Sequence, residues 1–343
     1  MNVNLSDCTY HQQSQPVWVS EPAQADHSAQ KDSLNVVING SNSVNLNKFS
    51  PLGVSAPKTV KINVGENELN IQVKGDKVNE TVFDGLDKSL VTSVSIPEGI
   101  RTIGIDTFKF CTSLKRVTLP KDLRAIEKGA FGFCCNLEDI ELPNNLTSIG
   151  EYAFEDCIKL IKVNLPGNLN IIKRWAFCGC KGLKEIEVPK RTEVIEESAF
   201  YGCGGLTKVT FLNTPKSIAE YMFCNCVNLQ DIKIPQGVEA IGEGAFSGCY
   251  KLSEMVFPNT IKVINAAAFR NCRNLKTIEI PEKVRSIKQG TFRDCYNLER
   301  VSFPSDLEAI EHDAFNECIR LKAIEIPEGL KLLIVVSFMV VTI

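Results

Sequence analysis

The 343-residue chain holds fourteen cysteines and only three histidines, His11, His27 and His312. Cysteine thiols can close disulfides, bind zinc or attack carbonyls, and each of these tasks needs its own spacing and surroundings. Ten of the cysteines recur every 23 residues, from Cys111 to Cys318. The other four are Cys8, Cys135, Cys178 and Cys224, of which the last two lie in "CGC" and "CNC". Neither has the paired Cys-x-x-Cys spacing of a structural zinc site, and no histidine lies near them in sequence. No metal site and no cofactor is expected. Ten equivalent thiols single out no nucleophile, so the simpler reading is a ladder of buried, reduced thiols, each a small apolar side chain touching a backbone carbonyl. Bridging neighbouring members would strain the disulfide, because stacked copies hold their Cβ vectors parallel.

Other chemistry is equally hard to place. The chain has no phosphate-binding G-x-x-x-x-G-K-[ST] loop, no G-x-G-x-x-G between strand and helix, no G-x-S-x-G and no H-E-x-x-H. Carboxylates are abundant, but inside a repeat their number identifies no acid–base pair. The formal net charge of -3 offers no bulk attraction to phosphate backbones, so nucleic acid is not an expected partner. The chain reads as non-catalytic.

What positions the cysteines is a strict internal period. Phe recurs at Phe108, Phe131, Phe154, Phe177, Phe200, Phe223, Phe246, Phe269, Phe292 and Phe315, always 23 residues apart. Ile stands five residues before each Phe, Cys three after and Leu six after. Each unit continues as Leu-x-x-Val/Ile-x-apolar-Pro, as in "LEDIELP" (137–143) and "LKEIEVP" (183–189). The alternating branched segment reads as a short strand, and the Pro, which has no ladder donor, fits its end. One unit cannot close a core. Stacked at the roughly 4.8 Å spacing of parallel strands, every Phe, Ile, Leu and Cys meets its own copy.

The Leu-x-x-Val-x-Leu run with its Cys-x-x-Leu, in the combination "IGEYAFEDCIKLIKVNLP", resembles the BspA-like class of leucine-rich repeats. The resemblance covers residues 91–329. It implies a curved right-handed solenoid with a parallel β-sheet on the concave face and short turns, 3-10 or helical segments on the other side. It also implies adhesin-like binding of a protein partner, such as a host or matrix protein, by a cell-surface or secreted protein. The N-terminus, "MNVNLSDCTYHQQSQPVWVS", carries no recognisable export signal, so a cytoplasmic or non-classically exported protein stands as the alternative location.

The ends differ from the repeats. Residues 1–57 are polar, without a sustained apolar period, and read as disordered. In "TVKINVGENELNIQV" two alternating apolar runs flank "GENE", the pattern of a hairpin, so 58–90 is read as an N-terminal cap over the first apolar layer. Residues 330–343 form an apolar tail too short to span a bilayer. Leu333 and Phe338 keep the 23-residue phase, which makes the tail a degenerate final repeat or a surface for self-association.

Two sets of residues are candidates for partner binding. On the strand face, pairs such as Asp139/Glu141 and Glu185/Glu187 concentrate acidic side chains, with Glu141, Glu185 and Glu187 as the chosen positions. Two residues before the ladder Phe stand Tyr152, Trp175 and Tyr221, aromatic side chains of the kind that anchor interfaces. The expected function is a protein-protein interaction scaffold. A self-assembling structural protein that stacks through its C-terminal end is the alternative.

Overall fold

The structure, a computed structural model, describes residues 36–37, 57–65, 67–322 and 324–333. Most of the polar 1–57 region and the tail beyond residue 333 lie outside the described residues. Among those described, no helix is long and apolar enough to cross a membrane.

The body is a parallel β-solenoid in which one 23-residue unit makes one coil. Two strand ladders run along it. The first is built from the Leu-x-x-Val segments: Arg116–Thr118, Glu185–Val188, Lys208–Phe211 and Thr277–Glu279 belong to it, with partners such as Glu185↔Lys208 and Thr277↔Arg300. The second uses two-residue strands that bring in the Ile of each unit, as in Ala125↔Ser148, Ser148↔Ile171 and Ile171↔Val194. Each of these pairings is offset by one repeat, so like lies on like.

A third side closes each coil, and there the structure takes turns where helical segments were also open. In every one of the ten units the residues two before and two after the ladder Phe have φ between 50° and 75°. These paired left-handed residues turn the chain around the Phe and aim alternate N–H groups along the stack. Ser198, Phe200 and Gly202 donate to Glu220, Met222 and Cys224 carbonyls at 2.9, 3.1 and 2.8 Å. The turn thus satisfies its backbone between coils, as the strands do. Gly is the residue that takes such φ values at no steric cost. At Gly129 and Gly179 it does more, since an added Cβ would lie 2.0 Å from Asp106 Oδ1 and 2.1 Å from Asp156 Oδ1, the side chains of the preceding coil.

Elsewhere the same slots hold residues with a Cβ, including Ala267 at φ 54°. The left-handed conformation costs an L-residue about 1–2 kcal/mol. Ala267→Gly is therefore expected to stabilise the protein by about 0.5–1 kcal/mol after the added unfolded-state entropy of Gly is offset. Urea denaturation measures this. A destabilised variant would mean that the backbone strain is not real.

Between the three sides lies the core. The ten ladder Phe rings stack with centroids 5.1–5.8 Å apart and planes within 20° of parallel. Beside them runs the thiol ladder. Each Sγ–H from Cys134 to Cys318 donates to the Phe carbonyl 26 residues earlier, nine contacts at 3.1–3.2 Å. These ten cysteines, with Cys178 and Cys224, are free and buried. Burial pushes Cys111 up to about 12 and holds Cys203 and Cys226 well above the ordinary thiol value. Among the described residues no cluster of three or more His, Cys, Asp or Glu is arranged to hold a metal ion.

The N-terminal end of the core is covered by a hairpin. Lys58–Val64 and Asn67–Val73 pair antiparallel, and Lys58–Val64 also pairs with Val91–Ser95, which in turn pairs parallel with Arg116–Thr118. Val36–Val37 adds a further antiparallel strand against Asn70–Ile71. Phe83, in the 3-10 turn Glu80–Phe83, meets Phe108 edge-on at 5.5 Å and so ends the ring stack.

Candidate partner-binding surface

The two sets of candidate residues stand on separate segments of the coil, and the structure does not bring them together. Glu141, Glu185 and Glu187 are exposed at the first ladder. There, the sheet register sets part of the acidic face against basic residues: Asp139 faces Lys162, Glu185 faces Lys208, and Lys208 faces Asp231 with Nζ 3.7 Å from Oδ2, whereas Glu187 faces Thr210. Opposite charges on neighbouring strands stabilise the sheet and cancel its field. The acidic patch legible in sequence is thereby interrupted by lysines at Asp139 and Glu185.

Tyr152, Trp175 and Tyr221 lie on the turn side, all at left-handed φ (54°, 59° and 52°). Tyr152 stacks on Trp175 at 6.2 Å, and Trp175 leans on Tyr201 at 5.3 Å with planes 50° apart. Tyr221 stands apart in the same column, beyond Ser198. Its hydroxyl donates to Glu243 Oε1, while Asn225 Nδ2 donates to the Tyr201 hydroxyl at 3.0 Å. Rings held this way are fixed before any partner arrives.

The aromatic run extends further than the three chosen positions. Phe110 and Phe133, two residues after their ladder Phe, stack at 5.0 Å, and Phe110 is 54% exposed. The second Phe of "FKFC" and "FGFC" was visible in sequence, but its outward direction depends on the left-handed turn. Lys109 lies 5.5 Å from the Phe110 ring centroid and Lys128 5.8 Å from that of Tyr152, both within cation–π reach. A separate cluster at the other end sets Arg273 between Tyr250 and Tyr296, at 4.4 and 5.7 Å.

One carboxylate in this neighbourhood is unusual. Glu155, on the turn beside Tyr152, is pushed up to about 7, first by burial and then by the adjacent Asp156 charge. The Tyr152 phenol is raised as well, by burial and then by Glu155.

Coils of 23 residues that stack Phe, Cys, Ile and Leu on their own copies, over a parallel ladder of Leu-x-x-Val strands, define a leucine-rich-repeat solenoid. The chain belongs to the BspA type leucine rich repeat family, whose profile matches residues 76–207, 162–262 and 216–340. Among solved structures it is similar to a leucine rich cell surface protein from Faecalibacterium prausnitzii, at 26% identity and a TM-score of 0.52 over 91% of this chain and 90% of that one. A leucine-rich repeat protein from Bacteroides ovatus matches at 23% identity and a TM-score of 0.41 over 89% and 96% of the two chains. The pneumococcal vaccine antigen PcpA matches at 22% identity and a TM-score of 0.45 over 79% and 81%. No curated protein matches the chain.

Proposed function

We propose that the chain is a non-catalytic scaffold that holds a protein partner on its solenoid surface, in the manner of a cell-surface adhesin. The observation that carries this reading is the ordered aromatic run on the turn side, Phe110, Phe133, Tyr152, Trp175 and Tyr201, on a backbone hydrogen-bonded from coil to coil. Rigid aromatic anchors give contact area at little entropic cost. Family membership supports a binding role, and the Faecalibacterium relative is a cell surface protein.

The test is capture of proteins by the immobilised full chain, with and without Tyr152→Ala, Trp175→Ala and Tyr221→Ala together, after circular dichroism has shown that the variant is folded. The triple variant is expected to lose partners retained by the wild type. Reversal of charge at Glu185 and Glu187 probes the sheet face in parallel. Unchanged capture by both variants would remove these surfaces from the account. Protease accessibility on intact cells reads the location.

A second reading rests on Leu332 and Leu333, 47% and 40% exposed on the last described strand, which pairs only with Ala309–Ile310 among the described residues. An apolar strand edge invites association. Sedimentation of the chain with and without residues 330–343 separates end stacking from a monomeric binder.

A further inference from the structure

We propose that the turn side between Trp175 and Glu243 is a docking surface for a Lys/Arg-bearing segment of the protein partner, a reading that rests on the binding function above and names its chemistry.

The column of residues three before the ladder Phe runs Lys128, Glu151, Arg174, Glu197, Glu220, Glu243, Ala266. Its first four members neutralise one another. Glu151 lies 3.5 Å from Lys128 and 3.2 Å from Arg174, and Arg174 reaches Glu197 at 4.0 Å. Then the alternation stops. Glu197, Glu220 and Glu243 follow in three successive coils, all exposed, and neither Glu220 nor Glu243 has a basic partner among the described residues. Like charges about 4.8 Å apart repel, and here three carboxylates of one sign follow in successive coils. The positions where a cation would complete the column are open to solvent.

The backbone fixes where these three glutamates leave their coils. Trp175, Ser198 and Tyr221 donate their N–H groups to the Glu197, Glu220 and Glu243 carbonyls at 3.2, 2.9 and 2.8 Å. The main chain of the column is therefore preorganised, and a cation that enters has only the side chains to order. Beside it stand the Trp175, Tyr201 and Tyr221 rings. Carboxylates next to aromatic rings suit guanidinium and ammonium groups, which pair with the one and stack on the other. The sheet face offers the contrary case at Asp139, Glu185 and Asp231, which already face lysines in register.

The chain has two tryptophans, Trp18 and Trp175, so Trp18→Phe leaves Trp175 as the one reporter in the surface. The test titrates this full-length variant with an oligo-arginine peptide at low ionic strength and follows Trp175 emission. Saturable quenching that weakens as salt rises is expected. Glu220→Gln with Glu243→Gln, which keeps an acceptor for the Tyr221 hydroxyl, is expected to weaken binding about tenfold, as two charge pairs near an interface rim would. Glu254→Gln with Glu279→Gln, two exposed glutamates outside this column, is expected to leave it unchanged.

The proposal is overturned if Trp175 does not respond, if both pairs of substitutions weaken the peptide equally, or if spermine binds as tightly as the peptide. Capture of a protein that depends on Trp175 but survives Glu220→Gln with Glu243→Gln would sink the cationic segment alone. Loss of neither would fall on the broader binding function.

Discussion

Phe200→Ala is expected to lower stability by about 3–5 kcal/mol and to break the unfolding transition into two. Phe200 is fully buried, stacked 5.4 Å from Phe177 and 5.8 Å from Phe223 with planes 3° and 9° from parallel. Its removal takes away the ring and one side of two stacked pairs, each worth about 0.5–1.5 kcal/mol beyond area burial. In a compact domain the surroundings share such damage. Here each coil touches only its neighbours, so the lost contacts weaken the junctions on either side of one coil and leave the rest intact. Hydrogen exchange resolved by mass spectrometry is expected to show lost protection centred on residues 177–246, with the hairpin-capped first coils unaffected. A single cooperative transition shifted as a whole would contradict nearest-neighbour coupling.

The second large effect concerns the thiols. Cys203 is fully buried, its Sγ–H donates to the Phe177 carbonyl at 3.1 Å, and burial holds its pKa well above the ordinary thiol value. Alkylation needs a thiolate with access to the reagent, so native Cys203 is expected to react at least about a thousandfold more slowly than a free cysteine, at the rate of local opening. Cys224, pushed up only to about 11, lies nearer the surface and is expected to react earlier. Combining the two experiments ties them together. Phe200→Ala should speed labelling of Cys203 and Cys226 and spare Cys134. Labelling of wild-type Cys203 at the rate of a small thiol would show that the ladder is open to solvent.

How much of this was legible from the chain depends on whether a slot is defined by residue type or by backbone shape. Phe, Cys, Ile and Leu recur as types because each packs on its own copy, and the period, the first strand ladder and the buried thiols could be read before any coordinates. The left-handed turns could not. Their slots hold Asp106, Tyr152, Trp175, Ser198, Ala267 and Glu317 with Gly at other coils, and no common side chain announces a shared φ. The conformation is imposed by hydrogen bonds between coils, a property of the stack. The candidate surface was legible to the same degree. Tyr152, Trp175 and Tyr221 were found by their spacing from Phe, whereas the lysines set against Asp139 and Glu185 needed the strand register. The like-charged run Glu197, Glu220, Glu243 was hidden because in sequence each glutamate sits among unrelated neighbours, 23 residues from the next.

The uniform offset between stacked coils has one more consequence. Since the junction Phe177–Phe200 is chemically the same as Phe246–Phe269, a recombination event that deletes or duplicates a multiple of 23 residues in phase rejoins like with like and creates no new core to be solved. Each such event changes the length of the outer surface by about 4.8 Å while leaving its ends untouched. Gene slippage in this chain would thus act as a ruler, altering reach in fixed steps where the same event in a globular domain would abolish folding.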